Sequence, residues 1–362
     1  MPRGDREIQL FAAHHQWPLV YLLSRPNLRL ANRDRIKGIF FNEAPRGEAM
    51  VAREGGLVVT RSDDVDDQAT LLKGWDQSYT QLEAGNFEAE VQSAQLTRDC
   101  GVFRKMTNKK LHKVFALPTN TFGFAVQVDQ SGPTVFQGQL TSPGDILVLP
   151  GDQQLELICH GKFDVIAVSF PRAELELLAG PAQFGVAAGI LRGGRGKEVG
   201  RWFLSEFSEL SRAKRNICST RAARFHDELL HRCAGALDTP FENDRPSRQL
   251  ALRIFDEAKA FINDSICREY VPSVNEVAAQ LRRSTRTLEY SFDHVAGVPP
   301  SKYLKCLRLC CARRDLKDSA EASVTAVAVK WGFWHLGRFS IAYREMFGEL
   351  PSQTRGKRRP AI

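Results

Sequence analysis

At 362 residues, 43% hydrophobic and 25% charged, the chain has the size of two or three folded domains and an ordinary globular composition. No run approaches the roughly 18 apolar residues of a membrane span, the N-terminus lacks the apolar core of a signal peptide, and the eight cysteines contain no CxxC pair, which argues against a zinc finger or a secreted disulfide framework. The net charge of +8 is uneven: residues 250–362 hold 19 Lys/Arg against 12 Asp/Glu (+7), residues 50–249 sum to −2, and residues 1–49 to +3. A basic segment beside a near-neutral one is the pattern of a nucleic-acid binder with a separate regulatory part, in a reducing cytoplasm.

In chain order, residues 1–49 are rich in Arg, Pro and Asn without a sustained period, and are expected to form a disordered extension. Residues 50–172 turn strand-like. Phe87–Gln92 alternates charged and apolar groups, and Phe122–Val128 and Asp164–Phe170 are short runs bounded by turn residues. Between them, two Pro-Gly turns flank the apolar strand of Pro143-Gly144-Asp145-Ile146-Leu147-Val148-Leu149-Pro150-Gly151, a hairpin-dense texture found in small β-barrels. Residues 173–237 switch to helical period, with Trp202, Phe203, Phe207, Leu210 and then Phe225, Leu229, Leu230, Cys233 on one side. Residues 238–250, with two prolines and several acids, read as a linker.

The remaining segment, 251–356, carries one phrase twice. Ser284-x-Arg286-x-Leu288 with Phe292, Gly297 and Pro300-Ser301 is repeated 51 residues later by His335, Phe339, Tyr343, Gly348 and Pro351-Ser352. Ser273 and Glu276 form an S-x-x-E capping box that predicts a helix from Val274, and Ser284 can N-cap the next. Leu288, Phe292 and Val295 make the inward stripe of that helix, which leaves Arg286, Glu289, Tyr290 and Asp293 outside. In the second unit Phe339, Tyr343 and Met346 face inward, and Gly337, Arg338, Ser340, Ile341 and Arg344 face out. A helix over roughly 302–317 joins the two units, and residues 357–362 are a basic tail. Two matched helix-turn-helix copies on a basic background imply two probes for a surface that itself repeats, such as successive major grooves of duplex DNA.

The pattern Gly332-Phe333…Phe339…Tyr343…Phe347-Gly348…Pro351-Ser352, with its upstream copy, resembles the AraC/XylS family of bacterial transcription regulators. The stretch Gly332–Phe339 looks most like a subgroup that includes ethanolamine-operon regulators. The resemblance implies a seven-helix DNA-binding monomer with both recognition helices in the major groove. By position, Thr285, Arg286, Glu289 and Tyr290 of the first helix and Leu336, Gly337, Arg338 and Ile341 of the second would meet base edges. Arg286 and Arg338 suit guanine O6/N7, Glu289 suits cytosine N4, and Leu336 and Ile341 suit thymine methyls. The second helix, being less polar, is expected to discriminate less. Arg282, Arg283, Arg344 and Arg355 are the candidate phosphate contacts.

Beside such a C-terminus, the run 143–151 resembles a turn and strand of cupin-like barrels. The expected fold is thus an α+β multidomain chain: a cupin-like sensor barrel with following helices, then an all-α tandem helix-turn-helix. The function implied is a ligand-responsive, sequence-specific activator. Its partners would be double-stranded DNA, RNA polymerase, a small-molecule effector of unknown identity and a second copy paired through 173–237. It would be cytoplasmic and held on the nucleoid when bound. The alternative, a cupin-type enzyme with an accessory DNA-binding tail, lacks support: His112 and His160 are the barrel's histidines, there is no H-x-H pair, and no phosphate loop or nucleophile motif occurs. No catalytic residue, metal or cofactor is therefore expected. Both histidines read as surface or internally satisfied groups. Trp75, Tyr79 and Phe87 read as core, and Cys306, Cys310 and Cys311 as buried small hydrophobes.

Overall fold

The computed structural model describes residues 57–355, apart from 73, 152, 181–187, 213–218, 239–245, 269 and 319–322. The expected extension at 1–49, most of the linker and the basic tail lie outside the described residues.

Among the described residues, twelve strands form two antiparallel sheets. The larger runs in the order β1 (Val58–Ser62), β3 (Ala89–Gln95), β4 (Gly101–Thr107), β11 (Phe163–Pro171), β6 (Thr121–Gln130), β9 (Ile146–Pro150), β12 (Gly189–Leu191). The smaller runs β2 (Asp76–Gln81), β5 (Leu111–Ala116), β10 (Leu155–Cys159), β7 (Thr134–Phe136), β8 (Gln139–Thr141). The apolar runs read from the sequence are β3, β6, β9 and β11. Gly144, at φ +85°, supplies the left-handed turn before β9. β12 adds a strand within 173–237.

The two sheets face each other over a shared core that includes Phe103, Phe115, Ala125, Phe136, Leu147, Leu157 and Ala167. Each outer face is covered. The larger sheet packs its other side, through Val102, Phe124, Val126, Ile166 and Val168, against α2 (Arg172–Ala179), α3 (Gly194–Arg212) and α4 (Ser219–Ala236). Phe203, Phe207, Leu210, Phe225 and Leu229, the helical stripe seen in the sequence, are the residues that bury there. At roughly 1.5–3 kcal/mol per large apolar side chain, this face is a principal source of the domain's stability.

The smaller sheet turns its outer face to the C-terminal helices. Leu82, Val135 and Ile158 join one continuous core with Ile254, Phe255, Phe292, Tyr303 and Trp331. Among the described residues, that region comprises seven helices: α5 (Pro246–Cys267), α6 (Val274–Gln280), α7 (Thr285–Ala296), α8 (Pro300–Asp318), α9 (Val324–Lys330), α10 (Leu336–Phe347) and α11 (Pro351–Thr354). A short helix, α1 (Val65–Thr70), packs on β2 at the barrel's end. Its N-cap Asp64 accepts from the backbone N–H groups of Asp66 and Asp67 at 2.8 and 3.3 Å.

Candidate nucleic-acid interface

The two helix-turn-helix units are built by the same local chemistry. In the first, the Ser273/Glu276 capping box forms as expected: Ser273 N–H donates to Glu276 Oε2 at 2.7 Å and Glu276 N–H to Ser273 Oγ at 3.3 Å. Ser284 caps α7 by accepting from the Thr287 N–H at 3.1 Å. The turns superimpose in their bonding: Arg282 and Arg283 donate to Ala279 and Ala278, and Gly332 and Phe333 to Val329 and Ala328. Arg282 (φ +52°) and Gly332 (φ +77°) both take the left-handed conformation this turn demands. The second unit then carries one additional residue, Trp334, before His335 caps α10 without a side-chain bond.

The inward stripes are as expected: Leu288, Phe292 and Val295 on α7, and Phe339, Tyr343 and Met346 on α10, are all buried. The outer faces are free. Thr285, Arg286, Glu289, Tyr290, Leu336, Gly337, Arg338 and Ile341 are exposed, as are Arg282, Arg283, Arg344 and Arg355. The side chains of Arg286, Glu289 and Arg338 make no hydrogen bond or ion pair with another described residue, so their polar groups are available to a partner. Tyr290 stacks on His294 with ring centroids 5.5 Å apart, which fixes the ring while leaving it 56% exposed. Trp334, 75% exposed at the mouth of the second turn, is an additional candidate for DNA contact; the sequence reading gave it no role. Its signal was there, as the one residue by which the second turn exceeds the first.

The barrel reaches the C-terminal end of each recognition helix. At α7, Lys110 Nζ donates to the Gly297 carbonyl at 2.8 Å, and His160 Nε2 lies 3.1 Å from the Val295 carbonyl. At α10, the Gly85 N–H donates to the Glu345 carbonyl at 2.8 Å and Gln81 Nε2 to the Met346 carbonyl at 2.9 Å. These carbonyls belong to last turns, which have no intrahelical donor left to them. Both C-cap glycines are also covered. A Cβ on Gly297 (φ +61°) would meet the His160 ring at 2.8 Å, and one on Gly348 (φ +75°) would meet Asn86 Oδ1 at 1.8 Å.

The joining helix α8 is held more firmly still. Arg313 Nη2 and Lys317 Nζ donate to Asp64 Oδ2 at 2.6 and 2.7 Å, Lys317 also to Asp67, and Arg314 to Asp66 Oδ1 at 3.0 Å and to the Tyr79 carbonyl at 2.6 Å. Burial alone would raise the Asp64 carboxyl, but Arg313 and Lys317 hold it well below the usual carboxylate range. A second buried set lies on β5, β10 and α5: His112 Nδ1 meets Tyr303 Oη at 2.8 Å, His112 Nε2 meets Glu156 at 2.5 Å, and Lys259 pairs with Glu156 and Asp256. Burial opposes the Glu156 charge, and Lys259 and His112 more than offset it. A cavity of about 220 Å³ opens between the two domains here, lined by Ser78, Thr80, His112, Asp256, Lys259 and Tyr303.

His112 and His160 both lie at the junction between domains, each with a ring nitrogen against a group of the C-terminal helices. Cys306, Cys310 and Cys311 are buried on α8. Burial pushes the Cys306 thiol up to about 11 and Cys311 up to about 12, so neither is a ready thiolate. Tyr79 and Phe87 are buried in the barrel, and Trp75 packs its ring on Phe103 and Phe115. Among the described residues, no group of three His, Cys, Asp or Glu is arranged to hold a metal ion. No helix among them is long and apolar enough to cross a membrane.

Two capped helix-turn-helix units with free outer faces, joined by one long helix, define a tandem helix-turn-helix DNA-binding domain. Comparison with known proteins agrees: residues 277–357 match the family described as helix-turn-helix domain. The chain is 36% identical over 107 residues to the XylDLEGF operon transcriptional activator 1 of Pseudomonas putida, covering 29% of this chain and 32% of that one. It is 42% identical over 79 residues to the HTH-type transcriptional activator RhaS of Escherichia coli O139:H28, covering 22% and 28%. The matched stretch thus spans about a third or less of these relatives' length. Among solved structures, the AraC-like transcriptional activator CuxR aligns over 76% of this chain and all of that one, at 16% identity and a TM-score of 0.41. Residues 277–357 are thus a helix-turn-helix domain similar to those of the two activators.

Proposed function

We propose that the chain is a sequence-specific transcription regulator that reads two successive major grooves with α7 and α10, and that the barrel governs how those helices are held. One observation carries this reading: the same barrel bonds the last turns of both recognition helices and grips the helix between them. A change inside the barrel then acts on the relative placement of both probes, which is the quantity that a two-groove site selects. Thr285, Arg286, Glu289, Tyr290, Leu336, Gly337, Arg338 and Ile341 are the base readers, with Arg282, Arg283, Arg344 and Arg355 on phosphates.

The regulator is an activator that meets RNA polymerase on the promoter, acts in the cytoplasm on the nucleoid, and answers to a small-molecule effector. A second copy pairs through α3 and α4. Mapping the genome-wide binding sites of the full-length protein tests the reading. A small set of strong sites with an extended asymmetric sequence is expected, and diffuse binding, with a specific-to-nonspecific ratio well below ~10³, would overturn it. The operon beside the strongest site identifies the regulated process, an ethanolamine operon being the one the Gly332–Phe339 likeness points to.

A further inference from the structure

The barrel interior holds two lysines. Lys105 (β4) and Lys113 (β5) are 4% and 3% exposed, deeper than lysines are normally found. They point at one spot from opposite sheets. Lys113 stands opposite Tyr79 in the β2–β5 register, and the two ammonium groups lie 4.6 Å (Lys105) and 5.6 Å (Lys113) from the centre of the Tyr79 ring. Lys113 also lies 4.6 Å from the Phe163 ring.

The groups around them are neutral. Lys105 Nζ bonds Gln77 Oε1 at 3.2 Å and contacts Tyr79 Oη; Lys113 bonds the Cys159 thiol. No carboxylate among the described residues pairs with either. This contrasts with other cations of the interior among the described residues: the buried Arg313, Arg314 and Lys317 and the partly buried Lys259 each have an acid. The neighbouring polar atoms add donors rather than acceptors. Gln77 Nε2 and Thr107 Oγ1 are buried without a hydrogen-bond partner in the protein, and Thr107 pairs with Phe163 across β4–β11. Facing them, Ala89, Ala125 and Ala167 are small inward residues of the larger sheet, and Trp75, Phe103 and Phe115 provide aromatic walls.

Two buried amines and two unpartnered groups able to donate, with no carboxylate beside them among the described residues, leave one chemistry missing. We propose that this interior is an anion site that takes the carboxylate of a small organic acid between Lys105 and Lys113, its apolar body lying against the aromatic and alanine walls. The proposal rests on reading the barrel as the sensor and names the class of molecule sensed. Burial pushes both lysines below their ordinary pKa, Lys105 well below it, with Lys113 repelling Lys105. An entering carboxylate reverses that balance, so binding takes up protons and weakens as pH rises. The signal has a short path outward: Tyr79 faces Lys105 through its hydroxyl, and its carbonyl accepts from Arg314 of α8.

Titration calorimetry and thermal shift of the full-length protein test this, with phenylacetate and decanoate as probes and their primary amides as uncharged controls. At least one carboxylate should bind and raise Tm while its amide does not, and Lys105→Met and Lys113→Met should each weaken binding about tenfold or more, one charge-assisted contact being lost. Both unliganded variants should match or exceed the wild-type Tm, because each removes a buried amine without an acid. A site that exists only for stability predicts the opposite, a lowered Tm. Failure of both carboxylates to bind at ~10 mM, or binding unchanged in both variants, would overturn the proposal. Binding of duplex DNA at low salt is measured on the same samples, and its loss in the wild type would count against the regulator reading rather than the anion site.

Discussion

Arg282 and Gly332 occupy the same place in the two turns, and only one of them is suited to it. A non-glycine residue in the left-handed region costs roughly 1–2 kcal/mol, so Arg282 is retained at a penalty that Gly332 does not incur. On the proposed reading, its exposed guanidinium beside α7 contacts a DNA phosphate. Arg282→Gly should therefore raise stability by about 1 kcal/mol in urea titration while weakening DNA binding uniformly across sequences, lowering the salt slope by about 0.9. Arg286→Ala should behave differently. Losing a bidentate guanine contact costs ~1–3 kcal/mol and relaxes preference at a single base pair, as anisotropy titration against operator variants would report. Trp334 belongs to the same test: if it only shields the turn, Trp334→Ala leaves the salt slope and base preferences unchanged.

Among the elements, α8 shows how a charge read from sequence can mislead. The segment 250–362 looked basic because of residues that include Lys259, Arg313, Arg314 and Lys317, yet these are paired with acids, three of them on or beside α1. Nothing local in the segment Asp63-Asp64-Val65-Asp66-Asp67 says that its acids meet residues 248 to 253 positions away. The recognition helices were legible because the Ser284 cap, the glycine stops and the helical stripes are local signals. Strands β4 and β5 were not individually legible, since Lys105, His112 and Lys113 interrupt the apolar alternation that marks a half-buried strand. Those interruptions fall at the two places of most interest, the barrel interior and the domain junction.

The ion cluster on α8 yields its own prediction. Asp64→Asn leaves Arg313 with Glu349 alone and Lys317 with Asp67 alone in a buried site, so it should destabilise by ~2–3 kcal/mol at neutral pH. Because the folded Asp64 carboxyl titrates below its unfolded value, that stability is fully present above pH ~4 and is lost as pH falls through the folded value. The Tm gap between wild type and Asp64→Asn should be flat from pH ~5 to 8 and close in more acid solution.

For the whole molecule, the barrel bonds the last turns of both α7 and α10 and the helix that joins them. Helix α8, with 19 residues, is about 28 Å long, which together with the widths of α7 and α10 suits probes separated by one DNA turn of ~34 Å. The copies agree at Leu288/Phe339, Gly297/Gly348 and Pro300/Pro351, where packing and helix ends are decided. They differ at Glu289/Ser340 and Tyr290/Ile341, on the faces turned outward. On the proposed two-groove reading, one scaffold used twice with two unlike faces predicts an operator whose halves differ. Chemical footprinting of the full-length protein on its strongest genomic site tests this most directly. Two major-groove contact windows of unrelated sequence, ~10 bp apart on one face of the duplex per bound chain, are expected. A single window, or two windows that read as a repeat of one sequence, would contradict it.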